Sequence, residues 1–265
     1  MSRKLLKGLE LVLMAVLAVS LVMIIRTQME YSKGASTYEE AAIVAELPKL
    51  TAVPAAEKPD GAKEDESAIS DPNLALMAEI NLDELRRENP DVLGWISIPD
   101  TVLSYPLLQG EDNDFYLRRS WQKESCTVGS VFMDFRSDPE LTDFNTIIYG
   151  HRMRDGSMFA CLRYYSDQEY WRTHPSIYLA QEEGVCRYDI FSAYETSVRG
   201  PVYDFSDRDT EGRQAFIDSC MKLSVIETNA VPTVDDRLLT LSTCPAVGYS
   251  TRWVVQAVLT EFYAR

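Results

Sequence analysis

The sequence predicts a mainly β fold, a β-barrel core with added helices, attached to an N-terminal membrane anchor. From residue 93 onward, short segments rich in β-branched and aromatic residues alternate with turns containing Gly, Pro, Asp and Asn. This pattern is typical of an antiparallel sandwich or barrel. Helical patterns precede and interrupt these segments, and an uncharged apolar run lies near the N-terminus.

The β pattern contains eight candidate strands, each bounded by turn residues. Their expected bounds are Leu93–Ile98, Ser104–Leu108, Gly129–Asp134, Thr146–Tyr149, Ser176–Ala180, Cys186–Thr196, Arg237–Thr243 and Arg252–Phe262.

Three helical segments are expected around the strands. Apolar residues recur at roughly helical spacing from Leu74 to Leu85, and the pattern ends at Asn89-Pro90, where proline stops a helix. Two further helical insertions are expected near Met158–Thr173 and Thr210–Leu223.

The N-terminus predicts the location of the protein. Arg3, Lys4 and Lys7 precede an uncharged apolar run from Leu11 to Ile25. A basic flank followed by such a run is the pattern of a signal peptide or signal anchor. Because no small-x-small cleavage site is obvious before the run ends, we expect a single-pass anchor. The basic flank should stay in the cytoplasm, which places the remainder outside the cell.

The chain is expected to divide into four parts. After the anchor, the composition is rich in Ala, Glu, Lys, Pro and Ser, which predicts a flexible extracellular tether, partly helical around Tyr38–Leu47. The expected parts are a cytoplasmic N-terminus (1–8), a transmembrane anchor (9–26), a linker (27–72) and a folded domain (73–265).

Composition and charge exclude some functions. Of the 265 residues, 46% are hydrophobic and 25% charged, which is ordinary globular usage. The formal net charge of −15 argues against a nucleic-acid partner, because phosphate binding requires a basic patch.

The cysteines do not form a metal-binding or redox pattern. The five are far apart, with no C-x-x-C pair. Four of them are interpreted as small buried residues: Cys126, Cys161, Cys186 and Cys220.

Reactive groups are expected at the ends of two strands. A β-rich run that begins at Asn145 ends in His151, directly after a glycine. A second predicted strand, Thr240-Leu-Ser-Thr-Cys244, ends in a cysteine, and Arg252 begins the next strand. A cysteine thiolate can be a nucleophile, histidine can return a proton to a leaving amine, and arginine can stabilise an oxyanion. The second histidine, His174, precedes a proline and is interpreted as structural.

These segments resemble the signature segments of sortases. The resemblance lies in Tyr149-Gly-His151 and in Thr240-Leu-Ser-Thr-Cys244 with Arg252-Trp-Val-Val255 behind it. The segments from Asn89 to Ile98 and from Gly150 to Phe159 are similar to class B sortases in particular, and the resemblance covers about residues 75–263.

The resemblance implies an eight-stranded barrel and a two-step transpeptidation. Cys244 would cleave the C-terminal sorting signal of a surface protein and form a thioester, which an amine of the cell wall would resolve. His151 would be the general acid and base, Arg252 the oxyanion or substrate clamp, and Ser242 a substrate contact. The resemblance implies neither an organic cofactor nor a metal.

Three alternatives remain open from the sequence. A papain-like hydrolase also uses cysteine and histidine, but there the cysteine comes early and opens a helix. A surface β-barrel without enzymatic activity would carry the same residues as remnants. A sortase that polymerises pilins would differ only in its acceptor amine.

Overall fold

Eight strands form a closed barrel in the computed structural model, which describes residues 3–55, 71–206, 208–244 and 250–265. The strands are β1 (Val92–Ser97), β2 (Ser104–Gln109), β3 (Val131–Met133), β4 (Asn145–His151), β5 (Ser176–Ala180), β6 (Gly184–Ser197), β7 (Leu238–Cys244) and β8 (Thr251–Ala264). Neighbouring strands follow the order β1-β2-β3-β4-β7-β8-β6-β5, and β5 closes the barrel on β1. The expected mainly β barrel of eight strands is confirmed.

Two of the strand pairings are parallel, so the barrel is not the purely antiparallel one that the turn pattern predicted. β2 pairs with β3 and β4 pairs with β7 in parallel, while the other six pairings are antiparallel. A parallel pair needs a long crossover connection. The chain between β4 and β7 provides one, since it contains β5, β6, two α-helices and two 3₁₀ helices.

Helices lie outside the barrel. The α-helices are α1 (Arg3–Val44), α2 (Pro72–Ala78), α3 (Leu82–Glu88), α4 (Gln168–Thr173) and α5 (Thr210–Leu223), and 3₁₀ helices span Phe115–Arg118, Phe159–Ser166 and Pro201–Tyr203. The predicted helix over Leu74–Leu85 is two helices, because the Asn81 side chain caps a new helix by accepting a hydrogen bond from the Glu84 backbone N–H at 3.3 Å.

Part of the predicted tether belongs to the folded domain. α1 continues without a break to Val44, and Tyr38, Ala41 and Ala45 are buried against the barrel. The Ala- and Glu-rich composition suggested a linker, but these residues recur every three or four positions and form one helix face. The folded part therefore begins before the expected boundary at residue 73. Residues 56–70 of the predicted linker lie outside the described residues.

The first half of α1 has the length and composition of a membrane span. Its large apolar side chains between Leu11 and Ile25 are 49% to 72% exposed. At 1.5 Å per residue, the 42 residues of α1 extend over about 63 Å, roughly twice the hydrocarbon thickness of a bilayer. The helix can therefore cross a membrane and still reach the barrel.

Candidate active site

His151 and Cys244 lie next to each other at the ends of two neighbouring strands. β4 and β7 are parallel and in register from Asn145 opposite Leu238 to His151 opposite Cys244. Neighbouring strands are about 4.8 Å apart, and directly paired residues point to the same side of the sheet. The two predicted reactive side chains are therefore brought together by backbone pairing.

Arg252 is placed beside them by the next strand. β8 runs antiparallel to β7, and the register that pairs Ser242 with Val254 brings Arg252 to the level of Cys244. The ends of the two strands are joined at Thr243, whose hydroxyl accepts a hydrogen bond from the Trp253 backbone N–H at 2.9 Å. Residues 245–249, including Pro245, lie outside the described residues.

The three residues open into one cleft of about 600 Å³. Its apolar lining includes Leu117, Phe132 and Tyr149, and its polar lining includes Asn113 and Thr127. A cleft of this size with a few convergent polar groups is a typical ligand site.

The Arg252 guanidinium packs on two tyrosine rings. Its Cζ lies 5.3 Å from the centroid of Tyr149 and 5.0 Å from that of Tyr203. A cation over an aromatic face is held electrostatically without using its N–H donors. Nε of Arg252 is buried and has no hydrogen-bond partner among the described residues. The two rings therefore hold the guanidinium, and Nε has no partner in the described parts of the chain.

A buried carboxylate holds the first of these rings. The Tyr149 hydroxyl donates to Asp134 Oδ2 at 3.0 Å, and Asp134 is 0% exposed. Asn113 and Arg136 also donate to this carboxylate, at 2.9 and 2.8 Å. Burial raises the pKa of Asp134, but these hydrogen bonds outweigh it and hold the pKa below its ordinary value. An ionised carboxylate thus anchors the ring beneath Arg252.

Ser242 holds the second ring and does not line the cleft. The serine is fully buried, and its hydroxyl lies 2.8 Å from the Tyr203 hydroxyl. The sequence resemblance had implied a substrate contact for this serine. Ser242 lies two residues before Cys244 and on the same side of β7, but Tyr203 covers it, so the expected substrate contact stays a prediction. Ser242 is a positioning residue for Tyr203.

Burial shifts the pKa values of the cysteine and the histidine towards their neutral forms. Burial raises the pKa of the Cys244 thiol to about 12, although Arg252 opposes this shift. Burial also lowers the pKa of His151, against a raising effect of the Leu117 carbonyl. His151 Nε2 lies 2.7 Å from that carbonyl oxygen. Since a carbonyl only accepts, Nε2 carries the proton and Nδ1 is left to take up another.

The remaining predicted residues lie in structural positions. His174 stacks on the Tyr170 ring with 4.3 Å between centroids, away from the cleft. Among the described residues all cysteines are free thiols, and the four expected to be structural are buried. One of these, Cys126, also lines the cleft. In the described parts of the chain, no group of three or more His, Cys, Asp or Glu side chains could hold a metal ion.

The sequence did not identify Asp134, Tyr203 or the Leu117 carbonyl as parts of the site. Tyr149 was noted only as a member of the Tyr-Gly-His segment. Asp134 directly follows β3, and a carboxylate after an apolar strand was the available signal for it. Tyr203 and Leu117 are distant in sequence from the reactive residues and had no such signal.

Comparison with known proteins identifies the family. The family model for the sortase domain matches residues 96–260. Sortase B of Listeria monocytogenes is 39% identical over 165 residues, which are 62% of this chain and 66% of that protein. The chain therefore spans just under two thirds of the length of that relative.

Two solved structures extend the likeness to the fold. A sortase B–substrate complex of Staphylococcus aureus superposes with a TM-score of 0.65 at 35% identity, over 68% of this chain and 84% of that one. Sortase B of Bacillus anthracis superposes with a TM-score of 0.71 at 28% identity, over 88% of this chain and 99% of that one. This chain belongs to the sortase family, and the relatives that it resembles are class B sortases.

Proposed function

We propose that this protein is a membrane-anchored cysteine transpeptidase that joins surface proteins to an amine of the cell wall. The observation that carries the proposal is the register that sets His151 opposite Cys244, with Arg252 beside them in one cleft. The staphylococcal relative solved with its substrate supports a peptide substrate bearing a sorting signal.

The first half-reaction forms a thioester. The Cys244 thiol passes its proton to Nδ1 of His151, and the thiolate attacks the carbonyl carbon of the scissile peptide bond. The negative charge that develops on the carbonyl oxygen is stabilised by the Arg252 guanidinium. The imidazolium then gives its proton to the leaving amine, the C–N bond breaks, and the acyl group remains on sulfur.

The second half-reaction transfers the acyl group. An acceptor amine attacks the thioester carbonyl and loses a proton to the neutral His151. Arg252 again stabilises the oxyanion. The C–S bond breaks, the thiolate regains its proton from the imidazolium, and a new amide bond links the surface protein to the acceptor. The cysteine and histidine return to the neutral pair that burial favours.

The proposed location follows from α1. The apolar half of the helix spans the membrane once, and the basic residues before it remain in the cytoplasm. The barrel then lies on the outer surface, where sorting signals and cell-wall amines are found. A pilin amine in place of the cell-wall amine would make the enzyme a pilin polymerase with the same site.

Substitution of the three reactive residues tests the mechanism. In the full chain, Cys244→Ala should abolish cleavage of a sorting-signal peptide and transfer to an amine. His151→Ala should lower kcat/KM about 10³-fold through loss of general acid–base catalysis. Arg252→Lys should lower it about 10²-fold, because an ammonium cannot reproduce the planar donors of guanidinium.

Matched controls exist in the same chain. His174→Ala and Cys220→Ala remove a histidine and a cysteine that lie away from the cleft, so both should retain near-normal activity. Fluorescence- and mass-based assays of the same peptide measure cleavage and transfer separately. Undiminished cleavage by Cys244→Ala would rule out the proposed nucleophile.

The tyrosine support of Arg252 makes a separate prediction. Tyr203→Leu removes one of the two rings beneath the guanidinium and should lower kcat about tenfold, the equivalent of a cation–π contact of about 1.4 kcal/mol. Tyr203→Phe keeps the ring and loses only the hydroxyl that meets Ser242, so its kcat should fall less. Equal losses in the two variants would show that the hydroxyl, and not the ring, supports Arg252.

The neutral resting pair predicts a steep pH dependence of thiol reactivity. Because the pKa of Cys244 is raised to about 12, its thiolate fraction should increase about tenfold per pH unit from about pH 7 to 9. The rate of alkylation by iodoacetamide should increase in parallel, measured by mass spectrometry with the modified cysteine mapped. A rate that is already constant across this range would instead indicate a thiolate–imidazolium pair.

A further inference from the structure

A loop that forms one wall of the cleft is supported from outside by α1. This wall loop, residues 119–130, joins the 3₁₀ helix Phe115–Arg118 to β3. Ser125, Cys126 and Thr127 of the loop line the cleft. The part of α1 that follows the apolar run, residues 27–44, packs on the opposite side of the loop.

Polar side chains on one face of α1 bind the tip of the wall loop. Glu30 accepts a hydrogen bond from the Thr127 hydroxyl at 2.8 Å. One helical turn later, Lys33 forms an ion pair with Glu124 at 3.0 Å. Both contacts are exposed and therefore weak, but they join the loop to α1 at two positions one helical turn apart.

Buried contacts follow on the next turn of α1. The buried Tyr38 hydroxyl donates to the Gly129 carbonyl and lies 3.0 Å from the Ser130 hydroxyl. The Trp121 indole N–H donates to the Thr37 carbonyl at 3.0 Å. Trp121 is fully buried, so these bonds join the loop to α1 where water does not compete.

The Val128 side chain lies close against one glycine of α1. A Cβ on Gly34 would lie 2.6 Å from Cγ2 and 3.0 Å from Cγ1 of Val128. The same Cβ would lie 3.4 Å from the Val128 Cβ, which is an ordinary contact. Only the two methyl groups of Val128 therefore prevent a larger residue at this point.

The inner side of the wall loop contacts His151. A Cβ on Gly129 would lie 2.8 Å from Cδ2 of the histidine ring. The Ser130 N–H donates to the Tyr116 carbonyl at 2.9 Å, which ties the loop to the 3₁₀ helix. The carbonyl of Leu117 in that helix holds His151 Nε2. A displacement of the loop would therefore move the His151 ring in two ways. Gly129 contacts the ring directly, and the 3₁₀ helix tied to the loop carries the Leu117 carbonyl that binds Nε2.

We propose that residues 27–44 of α1 hold His151 in its working position through the wall loop, so that the helix leading to the membrane is part of the active site. The proposal rests on the proposed function for the catalytic role of the histidine and for the membrane anchor. Glu30 follows Ile25 by five residues, about 8 Å along a helix. The cleft is thus held near the membrane surface, where a membrane-linked acceptor amine would be presented.

A pair of complementary substitutions tests the coupling in the full chain in detergent micelles. Gly34→Ala should displace Val128 and the wall loop, which should shift the His151 ring resonances and lower kcat/KM about tenfold. Adding Val128→Ala removes both methyl groups that would clash with the new Cβ at position 34. The double variant should therefore regain the original His151 resonances and the activity. Gly8→Ala is the matched control, since a Cβ there meets nothing within 4 Å.

The chain contains only two histidines, so His174 serves as an internal reference in spectra of the ¹³C-histidine-labelled protein. Tyr38→Phe, which removes the hydroxyl contacts without adding volume, should shift the His151 resonances in the same way. Unchanged His151 resonances in both variants, or a Gly34→Ala shift that Val128→Ala does not reverse, would overturn the proposal. Because the resonances need no substrate, a missing transpeptidase activity would count against the proposed function alone.

Discussion

Seven consecutive residue pairs join β4 to β7 in parallel, and the last of them sets His151 beside Cys244. A slip of one residue would turn every side chain of a strand to the other face of the sheet. Buried polar contacts keep this register, because the Thr240 hydroxyl donates to Asn145 Oδ1 at 2.7 Å and accepts from Gln256 at 3.2 Å. Arg252 depends on the same register, since β8 pairs with β7.

Burial organises the site and also limits its reactivity at rest. The tyrosine rings and the Asp134 carboxylate hold the Arg252 guanidinium while Nε stays unpaired among the described residues. The same low-polarity surroundings raise the pKa of Cys244 and lower that of His151. Both shifts favour the uncharged thiol and the uncharged imidazole in the free enzyme. Such a site exposes little reactive thiolate to other electrophiles.

Local features could be predicted from the sequence, whereas long-range ones could not. Each of the eight strands was expected near its observed position, because alternation and turn residues are local signals. The parallel pairing of β4 with β7 joins segments about 90 residues apart and leaves no local signature. Tyr203 likewise lies 39 residues before Ser242, the residue that it contacts at the site. The Ala-rich part of α1 was predicted to be a tether, because composition does not reveal that Tyr38 is buried against the barrel.

The covalent intermediate is the most direct test of the central claim. The full chain would be incubated with a panel of sorting-signal peptides, and intact and peptide-mapped masses would locate any acyl adduct. Our account predicts an adduct on Cys244 that hydroxylamine or an added amine releases. An adduct on another cysteine, or none with any peptide while Cys126 is the more reactive thiol, would contradict it and favour a surface module without transpeptidase activity.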